Sequence, residues 1–188
     1  MVQTPIKTLS LEEFLKLPDS KPAKEYINRQ VFQKPMPQGH HSTIQVDLTE
    51  TINAVVKKQR IGRAYTELRC VFGGRAIVPD ITLFRWERIP VDEEGNVANV
   101  FNLAPDWMIE ILSPNQNPTI VTGKILHALN HGTQMGWIID PETQSVLVYP
   151  MGKQPQLFSD KTAILPVVPL GKDLQLTVRE IFGWLKHQ

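Results

Sequence analysis

The chain has 188 residues, of which 41% are hydrophobic and 21% charged, with a formal net charge of +1. That length suits one domain, residues 1–188, with a core large enough to need no disulfide, and the lone Cys70 excludes an internal disulfide framework. No apolar run reaches the ~18 residues of a membrane span, and MVQTPIKTLSLEEF lacks the apolar core of an export signal, so a cytoplasmic location with no membrane partner is expected.

SLEEFLKLPDS reads as a helix start: Ser10 caps, Glu13 completes a capping box, and Pro18 ends the helix. EYINRQVFQKP (25–35) predicts a strand, a turn at Asn28–Arg29, and a second strand. Residues 41–59 form an amphipathic helix, with Ile44, Leu48, Ile52, Val55 and Val56 at helical spacing and Gly62 as its stop. The basic run KKQRIGR (57–63) fits a solvated helix end, where cations meet the dipole favourably, or a local basic stripe on a chain whose overall charge points neither way. RAYTELRCVF and RAIVPDITLF read as two strands joined by a tight turn at Gly73–Gly74. Residues 86–104 are a polar connection. APDWMIEILSP (104–114) is a strand, residues 118–132 a helix between Pro118 and Gly132, and MGWIID (135–140) an apolar strand. SVLVYP, QLFSD, AILPVV and DLQL are short strands. TVREIFGWLK is a closing helix with Thr177 and Glu180 as a second capping box. Mixed helices and strands place the chain in the α/β or α+β class, with a mostly antiparallel sheet carrying helices.

Two acids break the apolar pattern. Side chains alternate faces along a strand, so Glu110 shares a face with Met108 and Leu112, and Asp80 with Val78 and Thr82. A carboxylate buried without a partner costs several kcal/mol, so it is neutralised, paired or bound to a cation. Structural salt bridges, a proton-sharing acid/base dyad and a divalent-cation site all satisfy that demand. Lys124 lies beside Val121, Ile125 and Ala128 on the face expected to pack on the sheet. Its stem could carry a point charge over the strand ends, or snorkel to solvent.

The phrases LSLEEFLKLP, KEYINRQVF, HSTI, VPDITLF, PDWMIEILSP, Lys124 followed by HG and GWIIDP, and VVPLGKDLQLTVREIF run in order along nearly the whole chain. In this series the chain resembles the Uma-type restriction-endonuclease-like proteins of the PD-(D/E)XK nuclease superfamily. The resemblance implies a restriction-endonuclease-like core, with a central mixed β-sheet flanked by helices and additional antiparallel strands. It implies a DNA endonuclease that uses Mg²⁺ or Mn²⁺ and works as a homodimer. Asp80 and Glu110 match the metal-binding acids, and the backbone carbonyl of Ile111 and the upstream Glu25 would join them. Lys124 matches the lysine that orients water or stabilises the transition state. His41 and Ser42 match a polar pair at the head of the long helix. The chain departs from the pattern at Asn28–Arg29, where an Asp-Gly turn is usual, at Ala128, where a tyrosine is common, and in residues 115–123, which carry no acid. A nuclease-fold binding or interaction module without turnover is the alternative. On this reading, removing Asp80 or Glu110 is expected to abolish cleavage and leave the fold intact or more stable.

Other signals are weaker. His127 and His131 have the i, i+4 spacing of a zinc pair, but Ala128 stands where a metalloprotease needs Glu. Cys70 suits a buried small hydrophobe. Trp86, Arg85 and Arg88 could touch DNA or simply form a mixed-charge loop, and Trp107 and Trp137 are expected in the core.

Overall fold

The computed structural model describes residues 9–114 and 116–186. Helix α1 (Leu11–Leu15) starts at the expected capping box: Ser10 Oγ accepts from Glu13 N, and the Glu13 carboxylate accepts from Ser10 N. Strands β1 (Lys24–Ile27) and β2 (Gln30–Gln33) form an antiparallel hairpin. Its turn residues Asn28 and Arg29 take φ of 52° and 64°, the left-handed backbone whose twist matches the flanking strands. Helix α2 (Gly39–Val56) buries Ile44, Leu48, Ile52 and Val56 along one stripe. It starts two residues earlier than expected and ends before 59. The reversal that follows uses Arg60, at φ 53°, while Gly62 opens the next strand.

The stretch expected to hold two strands holds four: β3 (Gly62–Thr66), β4 (Cys70–Phe72), β5 (Arg75–Ile77) and β6 (Ile81–Arg85). Two local features explain the breaks. Glu67 takes a positive φ of 50° between β3 and β4. Pro79 withholds a backbone donor between β5 and β6. The Gly73–Gly74 turn does join β4 to β5, but β3 and β6 leave that pair and bond to each other in a different sheet.

The first sheet is antiparallel, in order β2-β1-β5-β4. The second has six strands, adding β7 (Trp107–Ile111), β8 (Met135–Asp140), β9 (Ser145–Pro150) and β10 (Gln156–Phe158) in the order β10-β9-β8-β7-β6-β3. Its β7–β8 pair is parallel and its other pairs are antiparallel. The parallel step requires a crossover, which helix α3 (Pro118–Leu129) supplies. Helix α2 covers the face bearing Trp107, Ile109 and Ile111, joined by Ile181 and Phe182 of helix α4 (Val178–Gly183). Helix α3 covers the opposite face, over Met108 and Ile138. Trp107 and Trp137 lie in the core as expected, edge to face at 4.6 Å. The class is mixed α+β, a mixed sheet flanked by helices with a second, antiparallel sheet.

AILPVV and DLQL are not strands. A single bridge, Ile164 to Thr177, marks that region. Pro166 and Pro169 remove donors a ladder needs, yet Leu165, Val168, Leu174 and Leu176 are buried. Their apolar pattern reports core contact made by irregular chain. The connection 86–104 is likewise anchored by buried Phe101, whose backbone pairs with that of Cys70. Among the described residues, no helix is long and apolar enough to cross a membrane.

The approach of α3 to the sheet depends on Gly136. A Cβ there would run into Ile125 Cγ2, one residue from Lys124. Gly136→Ala is therefore expected to cost about 1–3 kcal/mol in denaturant unfolding, the usual range for overpacking. A loss within experimental error would show that α3 is free to shift.

Candidate active site

The β6–β7 register decides what meets what. Ile81 pairs with Ile109, Thr82 with Met108 and Leu83 with Trp107. One further step of that register sets Asp80 against Glu110. Directly opposed like charges destabilise a strand pair, and both residues are almost wholly buried, at 2% and 1% exposure. The charges are balanced from two directions. From β2, the Lys34 ammonium donates to Asp80 Oδ1 at 2.6 Å, to the Val78 carbonyl at 2.8 Å and to Glu67 at 3.0 and 3.2 Å. From α3, Lys124 Nζ sits 2.8 Å from Glu110 Oε1 and donates to both Glu25 oxygens, at 3.0 and 3.2 Å. Glu25 also accepts from Val78 N at 2.8 Å. Asp80 Oδ2 accepts from Ile111 N at 2.6 Å and faces His41 Nε2 at 3.2 Å. Gln45 of α2 donates to the Asp80 carbonyl and to Glu67.

The structure thus gathers Asp80, Glu110, Lys124 and Glu25 as the sequence proposes, and adds His41. Ser42 is exposed and outside the cluster. Lys34 and Glu67 were not anticipated. Lys34 stands between Gln33 and Pro35 in a polar stretch, and no periodicity marks it for burial. The Ile111 group that touches Asp80 is its amide. Lys124 lies behind the carboxylates, with an exposure of 1%.

The acids differ in electrostatic character. Burial opposes ionisation of Asp80, but Lys34, His41 and Lys124 outweigh it and hold the carboxyl well below the usual carboxylate range. For Glu110 burial dominates, Asp80 adds to it, and the carboxyl is pushed up to about 8 despite Lys124. Lys124 moves the other way from its burial, raised by Glu110, Glu25 and Asp80. Burial alone would lower Lys34, yet Asp80, Glu110 and Glu67 raise it. Lys124 therefore keeps its proton, and Glu110 is the least supported anion of the group. Its Oε1 has one cationic partner, the Lys124 ammonium at 2.8 Å, which is shared with Glu25.

A cavity of about 640 Å³ opens over the cluster. Lys34, His41, Asp80, Ile111 and Glu67 line it, whereas Glu25, Glu110 and Lys124 lie beneath. Taken together the charged lining balances, Lys21, Lys34 and Arg69 against Asp19, Glu67 and Asp80. The other candidates lie elsewhere. Arg85 and Arg88 are both paired with Asp106, at the end of β6 away from Asp80. The KKQRIGR run follows α2, whose 18 residues carry it about 27 Å from the His41 end, and Arg60 there lies over Trp86. His127 stacks on Phe72 and His131 lies tilted against it, and each places a ring nitrogen on a backbone carbonyl, so they do not form an open metal pair.

The family described as "Putative restriction endonuclease" matches residues 11–179. The chain belongs to the Uma2 family. A crystal structure described as that of a "putative nuclease belonging to DUF820", from Anabaena variabilis, is 53% identical to this Uma2 chain. It covers 94% of this chain and 99% of its own, at a TM-score of 0.93. No curated protein matches. Family and neighbour together support a nuclease.

The Uma2 site suits a hard divalent cation in its donors. Two opposed carboxylates offer oxygen ligands, and the buried Glu110 has only one ammonium against its charge, shared with Glu25. Asp80 is the restriction, because Lys34, His41 and Ile111 already occupy both its oxygens. Among the described residues, no three His, Cys, Asp or Glu side chains are arranged around a common metal position.

The raised Glu110 carboxyl has a measurable consequence. Unfolded, it titrates at about 4.3; folded, at about 8. Between those values the folded protein holds a proton that the unfolded chain has lost, so stability falls as pH rises through that interval. Asp80 acts oppositely: its contribution is present above about 3.9 and lost on acidification below that value. In chelator, unfolding free energy is expected to decline from about pH 5 to about pH 8, and Glu110→Gln to flatten the decline. A flat wild-type profile would contradict this.

Proposed function

We propose that the chain is a metal-dependent DNA endonuclease. Asp80 and Glu110 would hold Mg²⁺ or Mn²⁺ together with the Ile111 carbonyl, with Glu25 one layer behind. The observation that carries this reading is the opposition of two buried carboxylates, Asp80 at the floor of a cleft and Glu110 beneath it. Opposed acids cost stability in a strand pair, and cation binding gives them a use. When bound, the ion supplies an acidified water and positive charge against the phosphate.

The chain's own residues do the rest. The Ile111 amide and His41 fix the second oxygen of Asp80 and so aim its carboxylate. Lys124 holds the Glu110 carboxyl at 2.8 Å and favours its charged form, which makes it a positioning residue from its place beneath the cleft. The cavity takes the scissile phosphate over Asp80, between Lys34 and His41. Water attacks phosphorus and gives up a proton to solvent, the bridging P–O bond breaks, and the leaving oxygen takes a proton from solvent.

A second reading, a nuclease-fold module that binds without turnover, is favoured by the balanced charge of the cleft and by the hold of Lys34 on Asp80. Nicking of supercoiled plasmid separates the two. The wild-type chain is expected to nick DNA with Mn²⁺ and to stop in chelator. Asp80→Asn and Lys124→Met should each slow nicking by at least about 100-fold. Calorimetric Mn²⁺ binding without nicking would select the second reading, and nicking that persists in chelator would contradict both.

A further inference from the structure

Lys34 only flanks the phosphate in the mechanism above, yet it is built into the site more firmly than any other cation at the cleft. Its backbone N–H donates to the Ala23 carbonyl, which pins the end of β2 across the hairpin. Its side chain is 7% exposed. An ammonium has three donors, and Lys34 directs its own at Asp80, Val78 and Glu67.

These partners differ in kind. Asp80 is sealed at 2% side-chain exposure, while Glu67 is 40% exposed on the cavity wall and steadied by Gln45. Asp80 lines the cavity, and Lys34 holds its Oδ1 at 2.6 Å. The other oxygen is turned to Ile111 N and His41. A divalent ion and an ammonium cannot share one buried carboxylate oxygen cheaply, because like charges a few ångström apart repel strongly where water is excluded. Glu67 already touches the same ammonium. A change in the side-chain torsions of Lys34 would hand it from one acid to the other with no backbone movement.

We propose that Lys34 is a tethered cation that occupies the metal position at Asp80 in the metal-free protein, and that Glu67 receives it when a divalent ion binds. The inference rests on the metal-dependent reading of the site and adds a determinant of metal affinity. Lys34 keeps the empty site folded and neutral, and metal enters by exchange against it. Removing Lys34 should then tighten metal binding, and removing the charge of Glu67 should weaken it. A purely structural ion-pair cluster would not give opposite signs.

The test is calorimetric titration of the full chain with Mn²⁺, together with thermal unfolding with and without Mn²⁺. Lys34→Met is expected to bind Mn²⁺ about tenfold more tightly or better. It should melt lower than wild type without metal and gain more from Mn²⁺. Glu67→Gln is expected to bind several-fold more weakly. Should Lys34→Met fail to fold, Lys34→Gln removes the charge while keeping a donor for Asp80, and its binding is read in the same way. Unchanged or weaker binding in the Lys34 variant, with wild type still binding, would overturn the inference and leave the metal site standing. Absence of Mn²⁺ binding in both wild type and the Lys34 variant at millimolar metal would overturn the inference and the metal-dependent reading together.

Discussion

Two carboxylates opposed across the β6–β7 pair set the terms for what surrounds them. The register that pairs Ile81 with Ile109 leaves Asp80 facing Glu110. Neither can reach bulk water, so positive charge has to come from the protein or from a bound ion. Much of the architecture follows from that demand. The β1–β2 hairpin brings Lys34 and Glu25, the crossover helix α3 brings Lys124, and the head of α2 brings His41. Each cation arrives on a different element, so the charge cluster also ties the two sheets and two of the helices together.

The two acids are not equivalent, and the difference lies in their neighbours. Asp80 has a lysine, a histidine and a backbone amide directly on its oxygens, and faces the cavity. Glu110 has one lysine, which it shares with Glu25, and lies below the cavity floor. A carboxylate so well supplied stays charged. One so poorly supplied holds a proton more tightly and gains most from an added cation. The expectation that either acid could be removed at no cost to the fold therefore applies to Glu110 and not to Asp80. Losing Asp80 would remove the shortest of the Lys34 contacts and leave the Ile111 amide without its acceptor in a buried place.

What could be read from the sequence followed from local rules. Ser10 and Thr177 cap their helices because capping is decided within one turn. Asp80, Glu110 and Lys124 stood out because a charged residue among apolar neighbours is visible along the chain. Lys34 did not, since its flanks Gln33 and Pro35 are exposed and its burial arises from strands far away in sequence. Glu67 was hidden in the same way, inside a stretch read as continuous strand, where its positive φ breaks the ladder and turns it onto the cavity wall. His41 was noticed only through family resemblance, and its use became clear once Asp80 was seen beside it. AILPVV misled because apolar residues that cover a core look like a strand whether or not their amides are paired.

The most direct test is a crystal structure of the chain grown with Mn²⁺, with the ion located by its anomalous scattering. The account predicts one peak in contact with the carboxylates of both Asp80 and Glu110, with the Lys34 ammonium moved onto Glu67. A map with no peak at that position, and Lys34 still bound to Asp80 at millimolar Mn²⁺, would contradict it.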